Sequence, residues 1–209
     1  MKNSMKHTTH YHILAFVPAL SLLLVSGCTH MIAPPKEPFT AYVGQGKIHL
    51  KVGINSTDEL RAAKWERHNM GDTWVMPVGN SMATNAGVLA RHLFDEVVDM
   101  NNSQVPANQT VAAVLTPKVV YFNQTLGVSA FGESIVDIKV EWTLSDLTGN
   151  TIWVDTINGQ SSGPTGNAFT MAGNSKNHLQ KALEDLLLKS EHAISSAPAI
   201  KQFAQKQSL

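Results

Sequence analysis

Hydrophobic and polar positions change their spacing several times along the chain, and each change marks an element. Lys47 to Ile54 alternates Ile48, Leu50 and Val52 with Lys47, His49 and Lys51, the two-residue period of a half-buried strand. Ser56-Thr57-Asp58-Glu59 has capping-box spacing, so either a short helix through Arg67 or a charged loop follows. Thr73 to Val78 reads as a second short strand, which Pro77 confines to a sheet edge. From Ser81 the period lengthens. Met82, Ala86, Leu89, Ala90, Leu93, Phe94, Val97 and Met100 recur at three- and four-residue steps behind Asn80 as a cap, predicting one long amphipathic helix.

The second half returns to period two. Val111 to Phe122 reads as a strand interrupted near Pro117, after the polar loop Asn101 to Thr110. Between Ser134 and Asp146, Val136, Ile138, Val140, Trp142 and Leu144 share one face and Asp137, Lys139, Glu141 and Thr143 the other, an alternation no helix supports. Asp146 to Asn150 fits a three-residue hairpin loop with Gly149 as its left-handed residue. Centred on Thr148, the returning strand Thr151 to Ile157 places Val154 opposite Trp142 and Ile152 opposite Leu144. Gln160 to Gly173 reads as a Gly/Ser/Thr-rich connection. A last helix then starts near Asn174 or Ser175, with Leu179, Ala182, Leu183, Leu186, Leu187 and Ile194 as its buried stripe and Pro198 at its end. The predicted fold is α+β, a mostly antiparallel sheet with two main helices packed on one face.

The first thirty residues carry a different pattern. A polar start with Lys2 and Lys6 precedes the apolar run Ile13 to Val25, and small residues close it, as in a secretory leader. That run would rise about 20 Å as a helix, short of the roughly 30 Å hydrocarbon core of a bilayer. Leu24-Val25-Ser26-Gly27-Cys28 resembles the lipobox of bacterial lipoproteins. The resemblance implies a signal-peptidase motif at Val25, Ser26 and Gly27, cleavage after Gly27, and acylation, palmitate included, of Cys28 as the first mature residue. It also implies a destination. Thr29, in place of the Asp associated with inner-membrane retention, directs the chain to the outer membrane, facing the periplasm. The chain divides accordingly into a signal peptide (1–27), a lipidated cysteine and tether (28–46) and a single periplasmic α+β domain (47–209). The Pro-rich stretch Thr29 to Thr40 reaches about 40 Å at full extension.

Composition narrows the function classes. Sixteen Lys and Arg balance sixteen Asp and Glu, and losing Lys2 and Lys6 with the leader makes the remainder mildly acidic. Such a body has no electrostatic reason to hold nucleic acid or anionic lipid. One cysteine excludes an intrachain disulfide and any multi-cysteine metal site. The expected partners are the bilayer, through acylated Cys28, and another envelope protein or peptidoglycan-associated complex. No cofactor is expected.

Trp142-Thr-Leu-Ser-Asp-Leu-Thr-Gly-Asn-Thr-Ile-Trp153 resembles a hairpin of small envelope lipoproteins, in which an apolar strand enters Asp-x-x-Gly and returns through an Ile/Leu-Trp pair. With Asn174 to Asn177 opening the last helix and Ala199 to Phe203 closing the chain, the layout is similar to the YajG-type family of outer-membrane lipoproteins. That family implies no catalytic residues. Lipoprotein activators of peptidoglycan synthases, similar to the N-terminal domain of TolB, share the element order. They carry long tethers, however, and this one is short.

Gly159-Gln160-Ser161-Ser162-Gly163 has the G-x-S-x-G pattern of a nucleophile elbow, but that mechanism needs a strand, a sharp turn and an immediate helix, and Pro164-Thr165-Gly166 follows. Asp185 and His192 lie on one predicted helix, about 10 Å apart in rise. His92, Asp95, Glu96 and Asp99 would share one face of the long helix, where a solvated surface with Arg91 paired to Asp95 explains them without a metal. The expectation is a non-enzymatic protein, with an activator of a peptidoglycan synthase or a tethered serine hydrolase as alternatives. Trp153, expected on the sheet face opposite Trp142, and Trp65 and Trp74, in weakly patterned segments, are the candidate partner contacts.

Overall fold

A computed structural model describes residues 28–209 except 35–36, 45, 70–71, 103, 108, 128–131, 168–169 and 209, so the leader and its Val25-Ser26-Gly27 motif lie outside the described residues. Two compact units divide the chain. The smaller includes residues 28–31 and 66–75, and the larger Ile32–Trp65 and Met76–Leu209. The elements, in order, are β1 (Thr29–Met31), β2 (Ile48–Ser56), α1 (Asp58–Arg61), β3 (Lys64–Asn69), β4 (Asp72–Pro77), α2 (Gly79–Leu93), β5 (Phe94–Asn101), β6 (Ala113–Thr125), β7 (Glu133–Asp146), β8 (Thr151–Pro164), α3 (Met171–Ser196) and α4 (Pro198–Gln207). The fold is α+β. Among the described residues no helix is long and apolar enough to cross a membrane.

The larger unit is built on a five-stranded sheet of order β5-β2-β6-β7-β8. Its two long ladders, β6–β7 and β7–β8, are antiparallel, while the shorter β5–β2 and β2–β6 ladders are parallel. Strand β7 behaves as its alternation predicts. Val136, Ile138, Val140, Trp142 and Leu144 are fully buried on one face, and α3 packs across β7 and β8 to cover them. Lys139 on the other face lies 5.3 Å from the Tyr121 ring, and both belong to a polar, wet surface.

Several boundaries differ from the sequence reading. The helix expected through Met100 stops at Leu93, where Phe94 turns extended (φ −116°, ψ 152°) and opens β5 with no intervening loop. Apolar residues at 94, 98 and 100 serve a strand as well as a helix. The β-branched Val97-Val98 pair and parallel pairing with β2 decide for the strand. Val78, not Asn80, precedes α2, and no side chain caps it. The segment after Thr57 is neither a helix to Arg67 nor a loop. Thr57 Oγ1 accepts from Leu60 N at 3.1 Å and caps a single turn, after which Lys64–Asn69 is strand. Pro117 does not interrupt β6. The β2 ladder ends at Leu115, so a residue without an N–H costs that edge nothing. β4 is the middle strand of the β1-β4-β3 sheet, although Pro77 is its last residue, beyond the β1 ladder.

The β7–β8 hairpin is shifted by one residue. Leu144 faces Trp153 and Ser145 faces Thr151, so Ile152 is the extra residue of a bulge. Trp153 therefore shares the inner face with Leu144, half-buried, and Val154 is turned outward with 53% of its surface exposed. The turn is held by Asp146. One carboxylate oxygen accepts from Thr148 N (2.9 Å), Thr148 Oγ1 (2.7 Å) and Asn150 N (2.9 Å), the other from Asn150 Nδ2 (3.0 Å), and Gly149 adopts φ +88°.

Hydrogen bonds from the Thr148 and then the Asn150 side chains lower the Asp146 carboxyl to about 2. A depressed folded value means the turn is fully supported above the ordinary carboxyl range and loses support as pH falls toward 2. A carboxyl-carbon NMR titration should give Asp146 this low midpoint, and Thr148→Ala should raise it toward the ordinary value.

Candidate functional site

In the smaller unit, Cys28 is exposed and stands immediately before β1. Strand β1 runs parallel to β4, with Thr29, His30 and Met31 opposite Thr73, Trp74 and Val75. The backbone of Cys28 is fixed at both ends. Its carbonyl accepts from Thr73 N at 2.9 Å, and its N–H donates to Asp72 Oδ1 at 3.2 Å. His30 Nε2 lies 3.6 Å from Asp72 Oδ2, and its ring stacks on Trp74 with centroids 4.4 Å apart and planes inclined by 20°. His68 completes the group through Thr73 Oγ1 (2.9 Å) and Glu66 Oε1 (3.4 Å). The thiol is thus presented on a held backbone, while Asp72 occupies the backbone nitrogen and leaves the sulfur accessible.

In the larger unit, particular residues of the segment expected to be a tether are held in place. Ile32 is buried, and Phe39 N donates to Asn85 Oδ1 of α2 at 2.8 Å. Tyr42 stacks on His92 of α2 (4.9 Å, 22°) and meets Phe39 edge-on (5.0 Å). His92 Nε2 pairs with Glu191 Oε1 of α3 at 2.9 Å, and Glu191 Oε2 accepts from Val43 N at 3.4 Å. Glu191 is only 5% exposed, so these two contacts answer for a buried carboxylate. Burial, and secondly the charge of Glu191, push the Tyr42 phenol above its ordinary value, and its hydroxyl has no hydrogen-bond partner among the described residues. The sequence carried a signal for this cluster. Glu191 stands four residues after Leu187 and three before Ile194, inside the apolar stripe, where a charged residue needs a partner.

Other candidate groups separate. Ser161 lies within β8 opposite Val136, so the G-x-S-x-G stretch is strand, not loop and not elbow. Its glycines serve packing: a Cβ at Gly159 would lie 2.3 Å from Ala182 O, and one at Gly163 would lie 2.4 Å from His178 Cε1. Asp185 accepts from Gln160 N (3.0 Å) and pairs with Lys189 (2.6 Å), so it does not orient His192. His92, Asp95, Glu96 and Asp99 share no helix face, because all but His92 lie on β5. Asp95 meets His49 at 2.6 Å, Glu96 meets Lys51 at 2.7 Å, and Arg91 pairs with Asp99 instead of Asp95. Among the described residues no group of three or more His, Cys, Asp or Glu could hold a metal. Trp65 is a core residue with 6% exposure, Trp153 is half-buried on the inner face, and Trp74 is the half-buried partner of His30. An open hollow of about 470 Å³ lies between Lys51, Asp146, Leu147 and Phe203, and the Asp146 and Thr148 side chains on its wall are bonded to each other within the β7–β8 turn.

No protein-family model matches the chain, and no curated protein matches it. Solved structures similar to it include a DUF330-family protein from Xanthomonas campestris (13% identity, 85% of this chain and 98% of the other, TM-score 0.47). A minor lipoprotein from Acinetobacter baumannii is 12% identical over 78% of this chain and 96% of the other, with a TM-score of 0.38. The PelC dodecamer from Paraburkholderia phytofirmans gives 19%, 70%, 95% and 0.34 for the same quantities.

Two outcomes follow from these contacts. Gly159→Ala should destabilise the chain by about 1–3 kcal/mol in urea unfolding, since backbone must move to admit the methyl group. The Tyr42 phenol, held protonated in the folded chain, supports stability fully below the ordinary phenol value of about 10 and less above it. The unfolding midpoint of the wild type should therefore fall more steeply above about pH 10 than that of Tyr42→Phe.

Proposed function

We propose that the chain is an outer-membrane lipoprotein, held through acylated Cys28 and facing the periplasm, that acts by binding another envelope component without catalysing a reaction. One observation carries the reading: the sole cysteine falls at the end of Leu24-Val25-Ser26-Gly27-Cys28, after a basic start and an apolar run. The exposed Cys28 immediately before β1 is consistent with it. Several acyl chains on one residue give stable anchoring where a single chain is marginal. The YajG-type resemblance of the C-terminal residues supplies the family expectation.

The alternatives lose ground on particular residues. A synthase activator working at a distance needs free spacer, and here Ile32, Phe39, Tyr42 and Val43 of the expected tether are engaged. A serine hydrolase needs Ser161 at a turn beside a base, and it lies in extended strand. Growth in labelled palmitate should mark the wild type and leave Cys28→Ala unlabelled. Equal labelling of the two would overturn the anchor.

A further inference from the structure

The lipid-bearing residue is locked in register with a hairpin whose own side chains suit a membrane surface. Cys28 lies level with Asp72 and Thr73, through Cys28 N–Asp72 Oδ1 and Thr73 N–Cys28 O. Asp72 opens β4, which pairs with both β1 and β3. Trp74 is two residues further, a rise of about 7 Å along a strand. Each headgroup layer of a bilayer is about 5–7 Å deep, the difference between its full and hydrocarbon thickness shared over two sides. Chains attached through the Cys28 sulfur enter the hydrocarbon at the inner boundary of that layer. Residues held level with Cys28, and up to two positions along β4, then fall within the layer itself.

The side chains there match that medium. Trp74 is half-buried with the His30 ring stacked on it, and Met31, opposite Val75, exposes 69% of its surface. An aromatic with a polar ring atom is the residue type enriched at membrane interfaces. Charge does not select the contact, because Arg67 and His68 share the hairpin with Glu66 and Asp72. We propose that strand residues 66–68 and 72–75 make a second, non-covalent contact with the phospholipid bilayer, with Trp74 seated in the headgroup layer beside acylated Cys28.

This inference rests on the lipoprotein reading and adds to it what the covalent anchor cannot supply. Acyl chains retain a protein but allow it to swivel about one residue. Pairing of that residue with Asp72 and Thr73 restrains the swivel of the smaller unit at the membrane. The effect is orientation, not retention, so its test must read proximity to headgroups and not partitioning.

The acylated full chain, labelled with 5-fluorotryptophan, gives one fluorine resonance for each of its four tryptophans. It would be placed in nanodiscs of phosphatidylethanolamine and phosphatidylglycerol with rising amounts of a gadolinium-headgroup lipid. Trp74→Phe assigns the resonance by its loss, and His30→Ala assigns it independently by shifting it when the stacked ring is removed. The Trp74 resonance should broaden first. If Cys28 carries palmitate and Trp74 broadens no earlier than buried Trp142, the hairpin contact is overturned and the anchor stands. A chain without an acyl group on Cys28 overturns both.

Discussion

The inner face of β7 is the constraint on which the larger unit depends. Val136, Ile138, Val140, Trp142 and Leu144 form a fully buried row, and something must cover it. α3 does so, and it can lie close only because β8 offers glycines beneath it. At Gly159 the Ala182 carbonyl and the Leu186 side chain occupy the space a Cβ would need, and at Gly163 the His178 ring does. A stretch that resembles a catalytic motif is thus explained by the thickness of a helix resting on a strand.

What the sequence made legible was periodicity, and what it hid was competition between periods. The β7 alternation and the α3 stripe stood out because each runs through many residues with one answer. The 81–100 segment did not resolve, since Phe94, Val98 and Met100 satisfy both a helical and a strand spacing, and only pairing with β2 separates them. The β7–β8 register failed by a single residue because the bulge at Ile152 leaves no mark in the hydrophobic pattern. At the site, the motif singled out Cys28 but gave no sign of the strand pairing that holds its backbone. The Phe39–Tyr42–His92–Glu191 cluster was not legible, because its members are far apart in sequence, although Glu191 within an apolar stripe was a local irregularity that pointed to it.

The two ends of the N-terminal segment answer to different chemistry. Around Cys28 the contacts are backbone pairing, one carboxylate and a stacked imidazole–indole pair, all partly exposed. From Ile32 to Val43 the contacts are apolar burial and a buried carboxylate shared between a histidine and a backbone N–H. Exposed ion pairs of the first kind contribute little on their own. Removing one partner of the second kind leaves a charged group stranded away from water, a much larger penalty. Firmness along this stretch therefore rises after Met31.

The passage from α2 into β5 without a loop has a consequence for how the chain can vary in length. Strand side chains alternate sides at every step, so one residue inserted between Leu93 and Phe94 would turn the whole of β5 over. Phe94, Val98 and Met100 would then face solvent, and Asp95 and Asp99 would be driven inward. The polar stretch that follows β5 can absorb insertions or deletions freely by comparison. Related chains should accordingly differ in size beyond Asn101 while keeping an invariant count of residues across the Leu93–Phe94 junction.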